Sequence, residues 1–127
     1  MQIELDERTL NWQQLVRNYV ERELIPWELT AELNGGELPP EVLQRIQGEA
    51  IRLGLPGMDA PADQGGLGLP MVDQVAAWEI LGRVTNALCW CFPEAQSWMY
   101  EACADNRYQL ETYIQPLLAG KRREAYA

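Results

Sequence analysis

A glycine- and proline-rich segment over residues 54–70 limits the possible folds of this chain more than any other feature. It begins Gly54-Leu55-Pro56-Gly57 and closes with the run Gly65-Gly66-Leu67-Gly68-Leu69. A helix cannot continue through it, because proline lacks a backbone donor and glycine loses the most entropy when it is ordered. Since helical patterns lie on both sides, we predict an all-α domain with one long ordered loop at 54–70.

Phosphate binding is the alternative role for these glycines. The segment lacks GxGxxG spacing, follows no predicted strand and has no lysine nearby, since Lys121 is the only lysine of the chain. GxGxxG spacing, a preceding strand and a nearby lysine are the features of a phosphate-binding loop. We therefore predict a structural role, in which the glycines take positive φ in turns that hold the helices together.

Length and composition exclude several function classes. The chain has 127 residues, of which 47% are hydrophobic, enough for one domain with an apolar core. A formal net charge of −9 argues against nucleic-acid partners, which need a positive surface. No run approaches the ~20 apolar residues of a membrane span. Histidine is absent, which excludes histidine-based triads and the commonest general base.

The cysteines and the N-terminus indicate a cytoplasmic protein. Cys89, Cys91 and Cys103 have no metal-ligand spacing, and we expect them to be reduced core thiols. Residues 1–7 are acidic and lack the apolar run of a secretory signal.

Apolar residues at helical spacing predict about six helices. They run from an Asp6 N-cap to a Pro26 stop, over 27–33, from 40 to Gly54, over 71–81, from Ala87 to about Ala104, and from a cap at 105–106 to Gly120. Pro93 should kink or break the fifth helix, because its ring meets the carbonyl four residues earlier. Glu79 and Arg83 stand at i, i+4, so we expect a surface ion pair rather than a catalytic carboxylate.

Several segments resemble one known family. The sequence GMDAPADQGGLGL at 57–69 is similar to the loop of the acyl-CoA dehydrogenase N-terminal domain. Other segments resemble the family in the same order along the chain. They are ELIP at 23–26 and Leu38-Pro39 before the loop, and WEILGR at 78–83 and QLETYIQPLLAG at 109–120 after it. The resemblance implies that residues 1–127 form this N-terminal helical domain, with 124–127 as the start of a middle β domain.

The resemblance also implies a function. Family members are flavoproteins that desaturate the Cα–Cβ bond of an acyl-CoA thioester, with FAD as hydride acceptor and a glutamate base in their third domain. Their partners are the acyl-CoA substrate and an electron acceptor, and they are commonly homo-oligomers whose contacts come mostly from the third domain. By this resemblance the present chain is inactive and holds no FAD alone.

The family's first domain helps to wall the acyl pocket, and matching this sequence to it without gaps gives four substrate-binding residues: Leu88, Cys89, Phe92 and Gln96. The alternative is that these four are ordinary core residues, as composition alone would favour. Trp90-Cys91-Phe92 is bulkier than is common in the family, which suggests shorter or differently shaped acyl groups.

Two other functions stay open from the sequence. One is a stand-alone, non-catalytic helical module that binds partner proteins or a small acyl ligand. The other is a relative that uses the same scaffold for oxidation or hydroxylation with oxygen.

Overall fold

The computed structural model describes residues 4–88, 91 and 97–122. Their regular structure is helical, and they contain no strand. The helices are α1 (Glu7–Tyr19), α2 (Glu28–Leu33), α3 (Pro40–Leu53), α4 (Met71–Leu81), α5 (Ser97–Cys103), α6 (Arg107–Gln109) and α7 (Gln115–Leu118). Helical turns of other types join α1 to α2 and α6 to α7, so the described residues form five continuous helical segments rather than six. None of these helices is long and apolar enough to cross a membrane.

Two π-helical segments each end two residues before a proline that lies within a helical segment. Val20–Leu24 precedes Pro26, and Leu110–Ile114 precedes Pro116. A regular α-turn would place each proline ring against the carbonyl four residues earlier, and a π turn opens the helix at that point. The prediction that Pro26 ends the first helical segment is therefore wrong, since the chain passes through it by a 3₁₀ turn into α2.

The chain divides into two compact units. The first unit is built from Met1–Pro40 and Pro70–Trp90, and the second from Glu41–Leu69 and Cys91–Ala127. In the first unit α1 packs along α4. Its buried apolar side chains are Val16, Tyr19, Val20, Leu24, Ala31, Ala76, Ala77, Ile80, Leu81 and Leu88.

The second unit has its own core around the last helical segment. Ala60, Tyr100, Ile114 and Leu117 form a buried cluster, and Cys103 is among the half-buried side chains that pack against it. α3 buries Val42, Ile46 and Ala50, which share one face of the helix at a spacing of four residues. Cys91 is buried and Cys103 is half-buried, and neither is in a disulfide.

The predicted fifth helix is shorter at its start than the sequence suggested. Ala87 and Leu88 lie in a turn and Cys91 lies in a bend, and the described part of the predicted helix is α5 at Ser97–Cys103. The backbone N–H of Thr85 donates to the Glu28 carboxylate at 3.0 Å, a contact that holds this stretch in a turn. Pro93 and the Cys89 carbonyl, where a break was predicted, lie outside the described residues.

The predicted ion pair between Glu79 and Arg83 is not the contact that forms. Arg83 instead pairs with Glu21 at 3.2 Å, and Glu79 accepts a hydrogen bond from Gln13 at 3.0 Å. Both partners come from the first helical segment, which the i, i+4 spacing within α4 could not reveal.

Candidate functional site

The structure places one of the four predicted substrate-binding residues. Leu88 is fully buried in the first unit, and its backbone N–H donates to the Thr85 carbonyl at 3.0 Å. Cys89, Phe92 and Gln96 lie outside the described residues, as does the predicted start of a β domain at 124–127. Whether the four side chains share one surface therefore stays a prediction.

The loop at 54–70 is closed by its own backbone hydrogen bonds. Gly54 has φ +80° and ends α3, and Gly65 has φ +97° and turns the chain back on itself, a conformation that favours glycine. The second half of the loop then forms three hydrogen bonds with the first half. The backbone N–H groups of Leu67, Gly68 and Leu69 donate to the carbonyls of Gly57, Ala60 and Met58, respectively, at 2.8–2.9 Å.

Gly66 marks the closest approach within this loop. A Cβ placed on it would overlap the carbonyl oxygen and Cβ of Ala60. Further along the chain, the Ser97 hydroxyl donates to the Asp59 carboxylate at 2.6 Å and so anchors the loop to the start of α5. The loop is consequently a fixed part of the second unit, as its predicted structural role requires.

A cavity of about 300 Å³ opens beside the loop in the second unit. Its walls come from the end of α3, the glycine-rich turns and α7, and no charged side chain lines it. The lining residues are Ile51, Gly54, Pro56, Gly57, Gln64, Gly65, Gly66, Leu67, Gln115, Leu118 and Ala119. Gln64 is buried and donates from its amide nitrogen to the Tyr100 carbonyl at 3.3 Å.

The described residues that line the cavity do not suit an anion. A phosphate needs cationic side chains or unused backbone N–H groups, and here the N–H groups of residues 64–69 all donate within the loop. Among the described residues, those that line the cavity include no nucleophile and no titratable group. The described residues therefore do not fit the pyrophosphate of FAD at this loop, and they supply no catalytic group there.

A buried carboxylate that the sequence analysis missed joins α1 to α4. Asp73 is 1% exposed, accepts from the Thr9 hydroxyl at 2.6 Å and pairs with Arg8 at 2.9 Å. The Trp12 indole N–H also reaches the Asp73 carbonyl at 3.2 Å. A signal existed in the sequence, because Asp73 falls in helical phase with Ala76, Ala77 and Ile80.

Asp6 caps the first helix, as predicted. Its carboxylate accepts from the Thr9 backbone N–H at 2.7 Å. This backbone hydrogen bond, followed by the Thr9 side chain, lowers the pKa of Asp6 below its usual 3.8. The cap fixes the start of α1, where Arg8 and Thr9 reach Asp73.

Fold and site together define a small helical domain organised around a long glycine-rich loop. The sequence model of the family described as "Acyl-CoA dehydrogenase, N-terminal domain" matches residues 6–121. The chain belongs to this family.

One relative with a known role supports the assignment. The chain is 26% identical over 115 residues to the caffeyl-CoA reductase-Etf complex subunit CarC of Acetobacterium woodii. That alignment covers 89% of this chain and 29% of CarC, so the chain spans less than a third of the relative's length. No solved structure matches the chain.

Proposed function

We propose that this chain is the N-terminal domain of a flavin-dependent acyl-CoA dehydrogenase and helps to wall the acyl-substrate pocket. The family match over residues 6–121 carries this proposal. The whole enzyme would desaturate an acyl-CoA thioester between Cα and Cβ, with FAD as the hydride acceptor. The domain boundaries are part of the proposal: 1–127 helical, with the β domain starting at 124–127.

In this proposal the domain forms part of the substrate-pocket wall and supplies no catalytic group. The flavin and the base are proposed to belong to polypeptide beyond this domain, as the family resemblance implies. Leu88, Cys89, Phe92 and Gln96 are proposed as pocket wall. Substrate contact through apolar and amide side chains is what such a wall requires. We further propose a cytoplasmic homo-oligomer.

The name of the relative favours a second candidate for the reaction direction. CarC is named as a subunit of a caffeyl-CoA reductase-Etf complex. The parent of this chain would then reduce an acyl-CoA substrate, with electrons exchanged through an Etf partner. Flavin bleaching by an acyl-CoA supports oxidation, whereas reoxidation of the reduced flavin by an unsaturated acyl-CoA supports reduction.

The reading frame beyond Ala127 is the first test. We expect it to continue for about 250 residues, the size of two further domains. The longer polypeptide should bind flavin and show acyl-CoA-dependent flavin reduction or reoxidation. A stop codon directly after Ala127 would overturn the enzyme proposal and leave a stand-alone helical binding module.

The pocket wall has its own test in the longer polypeptide. Phe92→Gly should shift the acyl-chain preference toward longer groups, because it removes a bulky side chain from the proposed wall. Tyr108→Gly is the matched control, since it removes an aromatic ring that is 68% exposed. An unchanged chain-length preference in Phe92→Gly would remove Phe92 from the wall.

A further inference from the structure

We propose that the cavity beside the glycine-rich loop binds a small neutral molecule, which is mostly apolar and donates one hydrogen bond to Gln64. The cavity has a volume of about 300 Å³, and its described lining residues all belong to the second unit. Ligand pockets in proteins begin at about this volume, and an apolar cavity of about 150 Å³ already holds benzene. The inference is independent of the proposed function, since the described wall belongs wholly to this chain.

The wall of the cavity is apolar over most of its described extent. Ile51, Pro56, Leu67 and Leu118 supply aliphatic carbon, and the described lining residues carry no formal charge. A molecule bound here exchanges water for hydrocarbon on most of its surface. Such an exchange favours an uncharged ring or short chain and disfavours an ion, which would lose its hydration without gaining a partner.

Gln64 is the buried polar side chain among the described lining residues, and its hydrogen bonds are incomplete. It is 7% exposed, and its amide nitrogen donates to the Tyr100 carbonyl at 3.3 Å. Its amide oxygen, Oε1, is buried and accepts no hydrogen bond from the described residues. A buried acceptor without a donor destabilises a fold, so this oxygen favours a bound molecule that supplies an N–H or O–H group.

The Gln64 amide is free to adjust to such a molecule. Its bond to the Tyr100 carbonyl, at 3.3 Å, is longer than the common N–H···O distance of about 2.9–3.0 Å. The last torsion of a glutamine side chain is also broad, without sharp rotamer wells. A small rotation of the amide therefore brings Oε1 toward a donor in the cavity while the side chain keeps its place in the wall.

Water is the alternative occupant of the cavity. A water molecule also supplies a donor to Gln64, but it leaves the apolar wall hydrated. A molecule that combines one donor with an apolar body satisfies the amide oxygen and covers the hydrocarbon as well. The two occupants are distinguished by whether a small apolar donor binds at this wall.

Titration of the 127-residue chain with a matched pair of probes tests the proposal. Indole has an apolar ring system and one N–H donor, and benzofuran has nearly the same shape with an oxygen in place of the N–H group. Each probe is added to ¹⁵N-labelled protein up to millimolar concentration. The backbone amide signals of Gly57, Gly65 and Gly66 report on binding at the wall.

Two variants locate the site. Leu118→Phe enlarges a side chain that lines the cavity. Leu110→Phe is the matched control, because Leu110 packs against the same buried cluster as Leu118 and is not among the described lining residues.

We expect saturable shifts of the three glycine signals with indole, and binding of benzofuran that is weaker by about three- to tenfold, the effect of one hydrogen bond. Leu118→Phe should lose the indole shifts, and Leu110→Phe should keep them. Equal affinity for the two probes would show that Gln64 accepts nothing from the ligand and would overturn the proposal. Shifts that persist in a folded Leu118→Phe variant, or no saturable shifts in the parent chain, overturn it as well and leave the cavity to water. The comparison of the two probes in the parent chain decides the question even where Leu118→Phe does not fold.

Discussion

Asp73 shows how a single buried carboxylate fixes the relation of two helices. It lies on the inner face of α4, where its partners Thr9 and Arg8 both come from the first turn of α1. Arg8 is mostly exposed and regains water easily when the pair is broken. The buried Thr9 hydroxyl does not regain water easily. Its lost hydrogen bond therefore accounts for the loss of unfolding free energy when Asp73 is removed.

We therefore expect Asp73→Ala to lower the free energy of unfolding by about 1–3 kcal/mol. Glu79→Ala on the exposed side of α4 is the control and should stay within about 0.5 kcal/mol of the parent chain. Urea unfolding of the three proteins measures both values. Equal stability of the two variants would show that the Asp73 network contributes nothing.

Asp6 should make the stability of the chain depend on pH. Its pKa is lowered in the folded state by the Thr9 backbone N–H, so its charged form stabilises the fold. That contribution is fully present above the unfolded pKa near 3.8 and is lost as the pH falls through the lower, folded pKa. Asp6→Asn keeps a capping side chain and removes the charge. The urea midpoint of Asp6→Asn should fall less than that of the parent chain as the pH drops below about 4, and parallel pH profiles would contradict this.

At the level of elements, sequence patterns predicted the helices better than their faces. The predicted helix over 71–81 coincides with α4, because its apolar positions are dense and Pro70 precedes them. Of the residues that predicted this helix, however, Met71, Val72, Val75 and Trp78 are exposed. A helix that is apolar all round has no single favoured face, so the choice depends on tertiary contacts such as those of Asp73.

The predictions about the loop and the site differ in the same way. The predicted positive φ is confirmed at Gly54, Gly65 and Gly68, but it is wrong at Gly57 and Gly66. The turn at 85–88 depends on the distant Glu28 carboxylate, and no local pattern could predict it. Of the site, the sequence predicted the pocket residues only through family resemblance. Since Leu88 alone is described, their common surface stays a prediction.

Two glycines of similar appearance in the sequence should respond in opposite ways to alanine. Gly66→Ala places a Cβ onto the Ala60 carbonyl, so we expect a loss of about 1–3 kcal/mol in unfolding free energy. Gly48 lies inside α3 with no atom within 4 Å of an added Cβ, and Gly48→Ala should gain about 0.5–1 kcal/mol. Denaturant unfolding of both variants checks the signs. A neutral Gly66→Ala would mean that the loop relaxes around the new methyl group.

At the scale of the whole molecule, net charge opposes the effect of the exposed apolar residues of α4, which are Met71, Val72, Val75 and Trp78 and are here called the α4 stripe. A net charge of −9 keeps copies of the chain apart, whereas the stripe favours their association. Salt weakens the first effect and leaves the second, since the screening length falls from about 30 Å at 0.01 M to about 3 Å at 1 M. Self-association of the 127-residue chain should therefore be weak and should increase with ionic strength.

Sedimentation velocity at high protein concentration measures this balance. We expect monomer at about 0.01 M salt and a larger weight-average mass at about 1 M, where repulsion is screened. Val75→Gln should remove most of that increase, because it places an amide in the middle of the α4 stripe. Leu33→Gln changes a more exposed apolar residue outside the stripe and should leave the increase unchanged. If both variants behave alike, association depends on general surface hydrophobicity, and α4 has no special part in it. If association decreases with salt, charged contacts between copies cause it rather than the α4 stripe.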